Sequence, residues 1–112
     1  MNIILIAKVC HEAHKAWCEG NNDFSQKHWD DTEKWQQEST LNTVQFILNN
    51  PDLPLQAIHE QWIAAKINEG WKYGPFKNNA LKTHPDLVPY DQLTEVDKKK
   101  DGLFWAIVNA LK

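Results

Sequence analysis

Helix-stopping residues stand at three places in this chain, and between them the apolar residues recur at three- and four-residue intervals. The breaks are Gly20-Asn21-Asn22-Asp23, Asn49-Asn50-Pro51, and a long stretch opening at Gly70 that holds Gly74, Pro75, Pro85 and Pro89. A residue before proline is driven out of the helical region, and proline itself lacks the backbone donor a helix interior needs. The fold expected is therefore mainly α: a small bundle of about four helices with one irregular loop containing short extended segments.

The first helix is predicted from about Ile3 to Cys18, with Ile6, Val9, Cys10, Ala13 and Trp17 on one face. A polar connection through Phe24, Ser25 and Trp29 reaches Asp31, the expected N-cap of a second helix from about Thr32 to Asn49. Leu41, Val44, Ile47 and Leu48 form its apolar stripe, with Trp35 and Phe46 on a neighbouring face. Pro54 suits the first turn of a third helix carrying Leu55, Ile58, Trp62 and Ala65 or Lys66, which Gly70 ends in a left-handed cap. Thr94 with Asp97 resembles a capping box ahead of a last helix that turns Leu103, Phe104, Ile107, Val108 and Leu111 inward.

The 112 residues fit one domain with a modest core, and no apolar run approaches the ~20 residues of a membrane span. No basic segment precedes the short run Ile3-Ile4-Leu5-Ile6 and no small-residue cleavage site follows it, so the expected setting is cytoplasmic. All twelve basic residues are lysine and the formal net charge is -3. Without arginine the chain lacks the bidentate reader of guanine and phosphate, which argues against duplex nucleic acid.

Charge is uneven, however. From Lys66 to His84 the lysines Lys66, Lys72, Lys77 and Lys82 face one acid, Glu69, a local +3. That stretch is either a solvated lysine-rich surface or a seat for a small anion.

Chemical motifs mostly fail on geometry. Cys10, His11, His14 and Cys18 suggest zinc, but Cys18 lies a further turn beyond the Cys10-His14 pair, so one ion cannot take all four from a straight helix; a cysteine packed as a small hydrophobe is the plainer reading. His59-Glu60-Gln61-Trp62-Ile63 begins like a zinc-protease helix and lacks its second histidine. Ser25 and Ser39 have no nucleophile elbow, and Gly70 and Gly74 surround bulky aromatics rather than forming a phosphate loop. No acid, base and nucleophile converge by motif, so a non-enzymatic protein without cofactor or metal is expected.

Three motifs in order carry a resemblance: Ile58-His59-Glu60-Gln61-Trp62, then Lys66-Ile67-Asn68-Glu69-Gly70-Trp71-Lys72-Tyr73-Gly74-Pro75, then His84-Pro85-Asp86-Leu87-Val88-Pro89-Tyr90-Asp91-Gln92-Leu93. Residues Leu55 to Leu111 resemble the RyR domain, the repeat module named after the ryanodine receptor. The N-terminal half, through Ala7-Lys8-Val9-Cys10-His11-Glu12 and Trp35-Gln36-Gln37-Glu38-Ser39, resembles the extension of small stand-alone RyR proteins of bacteria and their phages. Residues 1–53 then read as a helical extension packed on the core and residues 54–112 as the RyR-like domain.

The resemblance implies a helical module and no pore. Channel repeats work in tandem pairs that hold an adenine nucleotide between tryptophans of the Gly-Trp motif, which here is Trp71; their phosphorylation sites lie in an added loop that this chain lacks. It implies a binding module for a nucleotide-derived molecule, such as an adenine nucleotide or an ADP-ribose-like signal, either sensed or sequestered. The expected ligand-binding residues are Trp71, Lys72, Tyr73, Lys77, Lys82, His84 and Tyr90, with a homodimer bringing two copies of Trp71 around the ligand. The alternative is a protein-interaction or scaffold module using the same aromatic loop. Trp71 itself has two readings, an exposed stacking face or a plug at the end of helix three.

Overall fold

The computed structural model describes residues 2–112 and is mainly α. The helices are α1 (Ile3–Gly20), α2 (Lys34–Asn49), α3 (Leu55–Asn68) and α4 (Glu95–Leu111), and 3-10 turns at Trp29–Asp31 and Tyr90–Gln92 precede α2 and α4. Between α3 and α4, the two-residue strands β1 (Lys72–Tyr73) and β2 (Thr83–His84) pair in parallel, Lys72 beside Thr83 and Tyr73 beside His84.

Local chemistry sets the helix ends. The Asn2 carboxamide oxygen accepts from the Leu5 amide at 3.0 Å to cap α1, and the Thr94 hydroxyl accepts from the Asp97 amide at 3.2 Å to cap α4. α1 runs two residues past the expected Cys18, and the left-handed step falls on Asn22 (φ 64°), after Gly20 has completed the helix. α2 starts at Lys34 rather than Thr32, because Trp29–Asp31 forms a 3-10 turn and Glu33 takes the cap position without a side-chain bond. Pro54 likewise occupies the cap of α3 rather than its first turn.

α3 ends in a Schellman motif. Gly70, at φ 92°, donates to the Ile67 carbonyl at 3.0 Å, and Trp71 donates to the Lys66 carbonyl at 2.9 Å. This pattern folds the residue after the glycine back over the last turn of the helix. Trp71 is thereby brought against Lys66.

One core joins the four helices. Its buried members are Ile6, Ala7, Cys10, Trp29, Val44, Ile47, Ile58 and Val108, of which only Ile58 and Val108 come from the second half of the chain. α1 packs against both α2 and α4, so its buried arc is the pairs Ile6-Ala7 and Cys10-His11. That broad arc leaves Val9, expected inside, exposed, and Trp17 half-buried. Leu111, expected to point inward, is 48% exposed, because the core closes one turn earlier at Val108. No helix among the described residues is long and apolar enough to cross a membrane.

Candidate functional site

The Schellman turn starts one wall of a cavity of about 310 Å³. Trp71 is 7% exposed and its ring centre lies 5.7 Å from that of Trp35, which α2 projects from its first turn. The Lys66 ammonium sits 5.3 Å from the Trp35 ring and 5.6 Å from the Trp71 ring, a cation shared by two indoles. Its carboxylate neighbour, Glu69, is 4.0 Å away. Burial lowers the Lys66 pKa, and Glu69 only partly opposes this.

A third indole, Trp62, lines the same cavity from the middle of α3. The His59 ring stacks on it at 5.7 Å, and the His59 Nε2–H donates to the Val88 carbonyl at 2.8 Å, tying α3 to the loop. The opposite edge of Trp62 meets His84, ring centres 5.0 Å apart and nearly perpendicular. The Asp86 amide donates to His84 Nδ1 at 3.0 Å, which assigns the ring proton to Nε2.

Polar groups complete the lining. Lys100 on α4 lies 3.1 Å from Asp97 and 3.4 Å from Asp86. Burial pushes Asp86 up, whereas hydrogen bonds from Asp86 and Lys100 hold Asp97 down against its own burial. The two carboxyls interact across one lysine, Asp86 being the more easily protonated of the pair. Burial lifts Asp101 to about 6, and its Oδ2 lies 3.7 Å from His59 Nδ1.

Burial together with the charges of Lys100 and Lys77 depresses His14 to about 4, and burial with Lys77, Lys100 and Lys66 depresses His84 to about 3. Both rings are neutral at neutral pH. Cys18 Sγ lies 3.5 Å from His14 Nε2, and burial raises the Cys18 thiol; Cys10, in the core, is raised to about 12. Each of these thiols is protonated and packs as a small apolar group. Among the described residues, no three His, Cys, Asp or Glu side chains converge on a metal position.

Of the seven expected ligand residues, Trp71, Lys77 and His84 line this cavity. Lys72 and Tyr73 form β1 with outward side chains, Tyr73 being 58% exposed. The Lys82 ammonium donates to the Glu69 carbonyl at 2.8 Å and covers Gly70 from outside. Tyr90 packs its ring 6.0 Å from His59 and receives the Lys98 ammonium 5.3 Å over its face, behind the cavity wall. The lysine-rich loop therefore does not make an electropositive chamber. Two of its cations, Lys66 and Lys77, meet Lys100 and the carboxyls Asp23, Asp86, Asp97 and Asp101.

Trp35, Trp62, Lys66, Lys100 and the four aspartates line the cavity without standing among the expected ligand residues; in the sequence Lys66 counts toward the local positive charge. Trp62 read as core because it stands on the α3 stripe, and Trp35 because it adjoins the α2 stripe. Asp97 read as a capping residue; its amide is capped by Thr94 while its carboxylate reaches Lys100. Trp71 follows the plug reading rather than that of an exposed stacking face: it is 7% exposed at the end of α3, with a small part of its surface in the cavity lining.

A family model described as the RyR domain matches residues 53–112, more than half of the chain. The chain belongs to the RyR domain family. The cavity extends beyond the matched segment, for ten of its 22 lining residues, among them His14, Cys18, Asp23, Trp35 and Gln36, precede residue 53.

Proposed function

We propose that this RyR-domain protein is a non-catalytic binding module for a small molecule carrying a nucleobase-like ring, held in the cavity between its two halves. The observation that supports this reading is the convergence of Trp35, Trp62 and Trp71 on one hollow that also presents Lys66, Lys77 and the neutral His84. An indole face stacks a base for about 1 to 3 kcal/mol by alanine substitution, and the His84 Nε2–H supplies a hydrogen-bond donor without a charge. A volume of about 310 Å³ stands at the lower end of ligand pockets, which run from ~300 to ~1,000 Å³.

Trp35 packs against Trp71 with ring centres 5.7 Å apart and planes tilted by 47°, so the two indoles form one continuous aromatic wall on which a base would lie, and a partner's Trp71 would add a facing surface. Such a module can sense a nucleotide-derived signal or withdraw it from solution, in the cytoplasm, where the two free thiols Cys10 and Cys18 stay reduced.

Calorimetric and thermal-shift titrations with adenosine, AMP, ADP-ribose, cyclic ADP-ribose and cyclic dinucleotides test the proposal. At a hundredfold excess over its Kd a ligand stabilises the folded state by about 2.7 kcal/mol. At least one probe is expected to raise the melting temperature, and Trp35→Phe is expected to weaken that response. Absence of any response across the set refutes the proposal. The exposed Tyr73, Phe76 (79%) and Leu81 on the β1–β2 connection favour a second reading, a protein-docking tip, and refutation of the first would leave that one standing.

A further inference from the structure

Beside the aromatic cavity lies a second hollow of about 410 Å³, lined by Asp23, Ser25, Gln26, Gln36, Lys77 and Asn79. Asp23, Gln26, Gln36 and Lys77 line both, so the two spaces adjoin along a shared wall. Their chemistry differs sharply. The first holds three indoles; the second has no aromatic and no aliphatic residue, only amides, a hydroxyl, one carboxylate and one ammonium.

The groups of the polar hollow are organised. Thr32 donates to the Gln36 carboxamide oxygen at 3.1 Å, and Gln36 Nε2 donates to Gln26 Oε1 at 2.7 Å, so each glutamine has its oxygen occupied and its orientation set. The Asp23 carboxylate accepts from the Ser25 amide at 2.9 Å, and its hydrogen bonds to Ser25 hold its pKa below the usual range. It is an ionised acceptor. Lys77 stands at the junction.

Resting on the function proposed above, we infer that the polar hollow seats the sugar of a nucleoside whose base lies in the aromatic cavity. Ionised Asp23 and the side-chain amide of Asn79 suit the donor and acceptor roles of vicinal hydroxyls, which a carboxylate and an amide can bind together. The charge balance sets the phosphate count. The combined lining carries Lys66, Lys77 and Lys100 against Asp23, Asp86, Asp97 and Asp101, and Lys100 is already paired with Asp86 and Asp97. A triphosphate would bring three or four negative charges to a surface with no net positive charge. The ligand class is therefore a nucleoside bearing fewer phosphates than a triphosphate.

Four of the six polar-hollow residues, Asp23, Ser25, Gln26 and Gln36, precede the segment that the family model matches. The leading half of the chain is thus the specificity element, and the matched half supplies most of the stacking surface.

Calorimetry on the full chain with adenine, adenosine, AMP and ATP tests this. Adenosine is expected to bind about tenfold more tightly than adenine, AMP within about threefold of adenosine, and ATP more weakly than either, since each hydrogen bond gained contributes about three- to tenfold. Asn79→Ala and Ser25→Ala, at residues that line the polar hollow and not the aromatic cavity, are expected to shrink the adenosine-to-adenine ratio by about threefold or more while adenine binding stays unchanged. Equal binding of adenine and adenosine overturns the sugar seat and leaves the aromatic site standing, as does an equal loss of both ligands in the variants. ATP as the tightest ligand overturns the phosphate limit. Failure of all four to bind overturns the sugar seat together with the function it rests on.

Discussion

Replacing Trp71 by alanine is expected to cost stability before it affects binding. The indole is 7% exposed, so the substitution falls among large-to-small changes at buried tryptophans, about 3 to 5 kcal/mol. One part of its surface faces the cavity rather than packed atoms, which selects the lower end, about 3 kcal/mol. The estimate includes the Lys66 ammonium, 5.6 Å from the Trp71 ring, whose remaining aromatic neighbour would be Trp35. Domains of this size have about 5 to 15 kcal/mol in total and lose about 4 °C of melting temperature per kcal/mol, so the expected fall is about 12 °C. Urea unfolding followed by far-ultraviolet circular dichroism measures it, with the five remaining tryptophans as a second probe. Trp71→Phe, which keeps a ring over Lys66, should lose less than half as much. A loss under about 1 kcal/mol for the alanine variant would refute the packing of Trp71 against Lys66 and Trp35 described above.

At Gly74 an added Cβ would stand 2.7 Å from the Thr83 Cβ, inside any permitted contact, so Gly74→Ala should force β1 from β2 and destabilise by about 1 to 3 kcal/mol. Faster amide exchange at Lys72 and Gly74, whose N–H groups bond to the Lys82 and His84 carbonyls, would show the separation; unchanged protection would contradict it. Stability should also fall as the solution is acidified from pH 7 to pH 4. His14 and His84 take up a proton near 6.5 when unfolded but only near 4 and 3 when folded, so each favours the unfolded state by up to about 1.4 kcal/mol per pH unit across that interval. Asp101, raised to about 6 in the fold, opposes them, because there the folded state binds the extra proton. Denaturant midpoints measured at each pH should therefore decline toward acid, with a shallower slope in His84→Gln; a flat profile in the wild type would contradict the burial of these rings.

Periodicity made the four helices legible, because Val44, Ile47, Ile58 and Val108 recur at intervals that only a helix brings to one side. Boundaries shifted where short-range alternatives competed. The 3-10 turn at Trp29–Asp31 delayed α2, and within the Gly20-Asn21-Asn22-Asp23 break it is Asn22 that takes the left-handed step. The Gly-Trp motif pointed to the right turn, since Gly70 marks where the backbone reverses. It did not tell how far Trp71 would be covered, because that depends on Trp35, which tertiary packing alone brings near. Counting lysines along the loop left out the acids that face them in the cavity: Asp23 lies far from the loop in sequence, and Asp97 follows it on α4. Lys72 shares the motif with Trp71 yet lies outside on β1, both of whose residues are exposed, and Lys82 is held outside by its bond to the Glu69 carbonyl.

The joining of α1 to α4 fixes when the cavity comes into being. Six of the eight core residues are made early, but α1 cannot cover its buried arc until α4 arrives with Val108, after nearly the whole described chain has been synthesised. Closing that contact spans about the greatest loop the molecule has, and such closures are slow relative to forming each helix. Lys100 and Asp97, which complete the cavity, ride on the same helix. Translation of the leading segment alone would thus yield a polypeptide with exposed apolar stripes and no cavity.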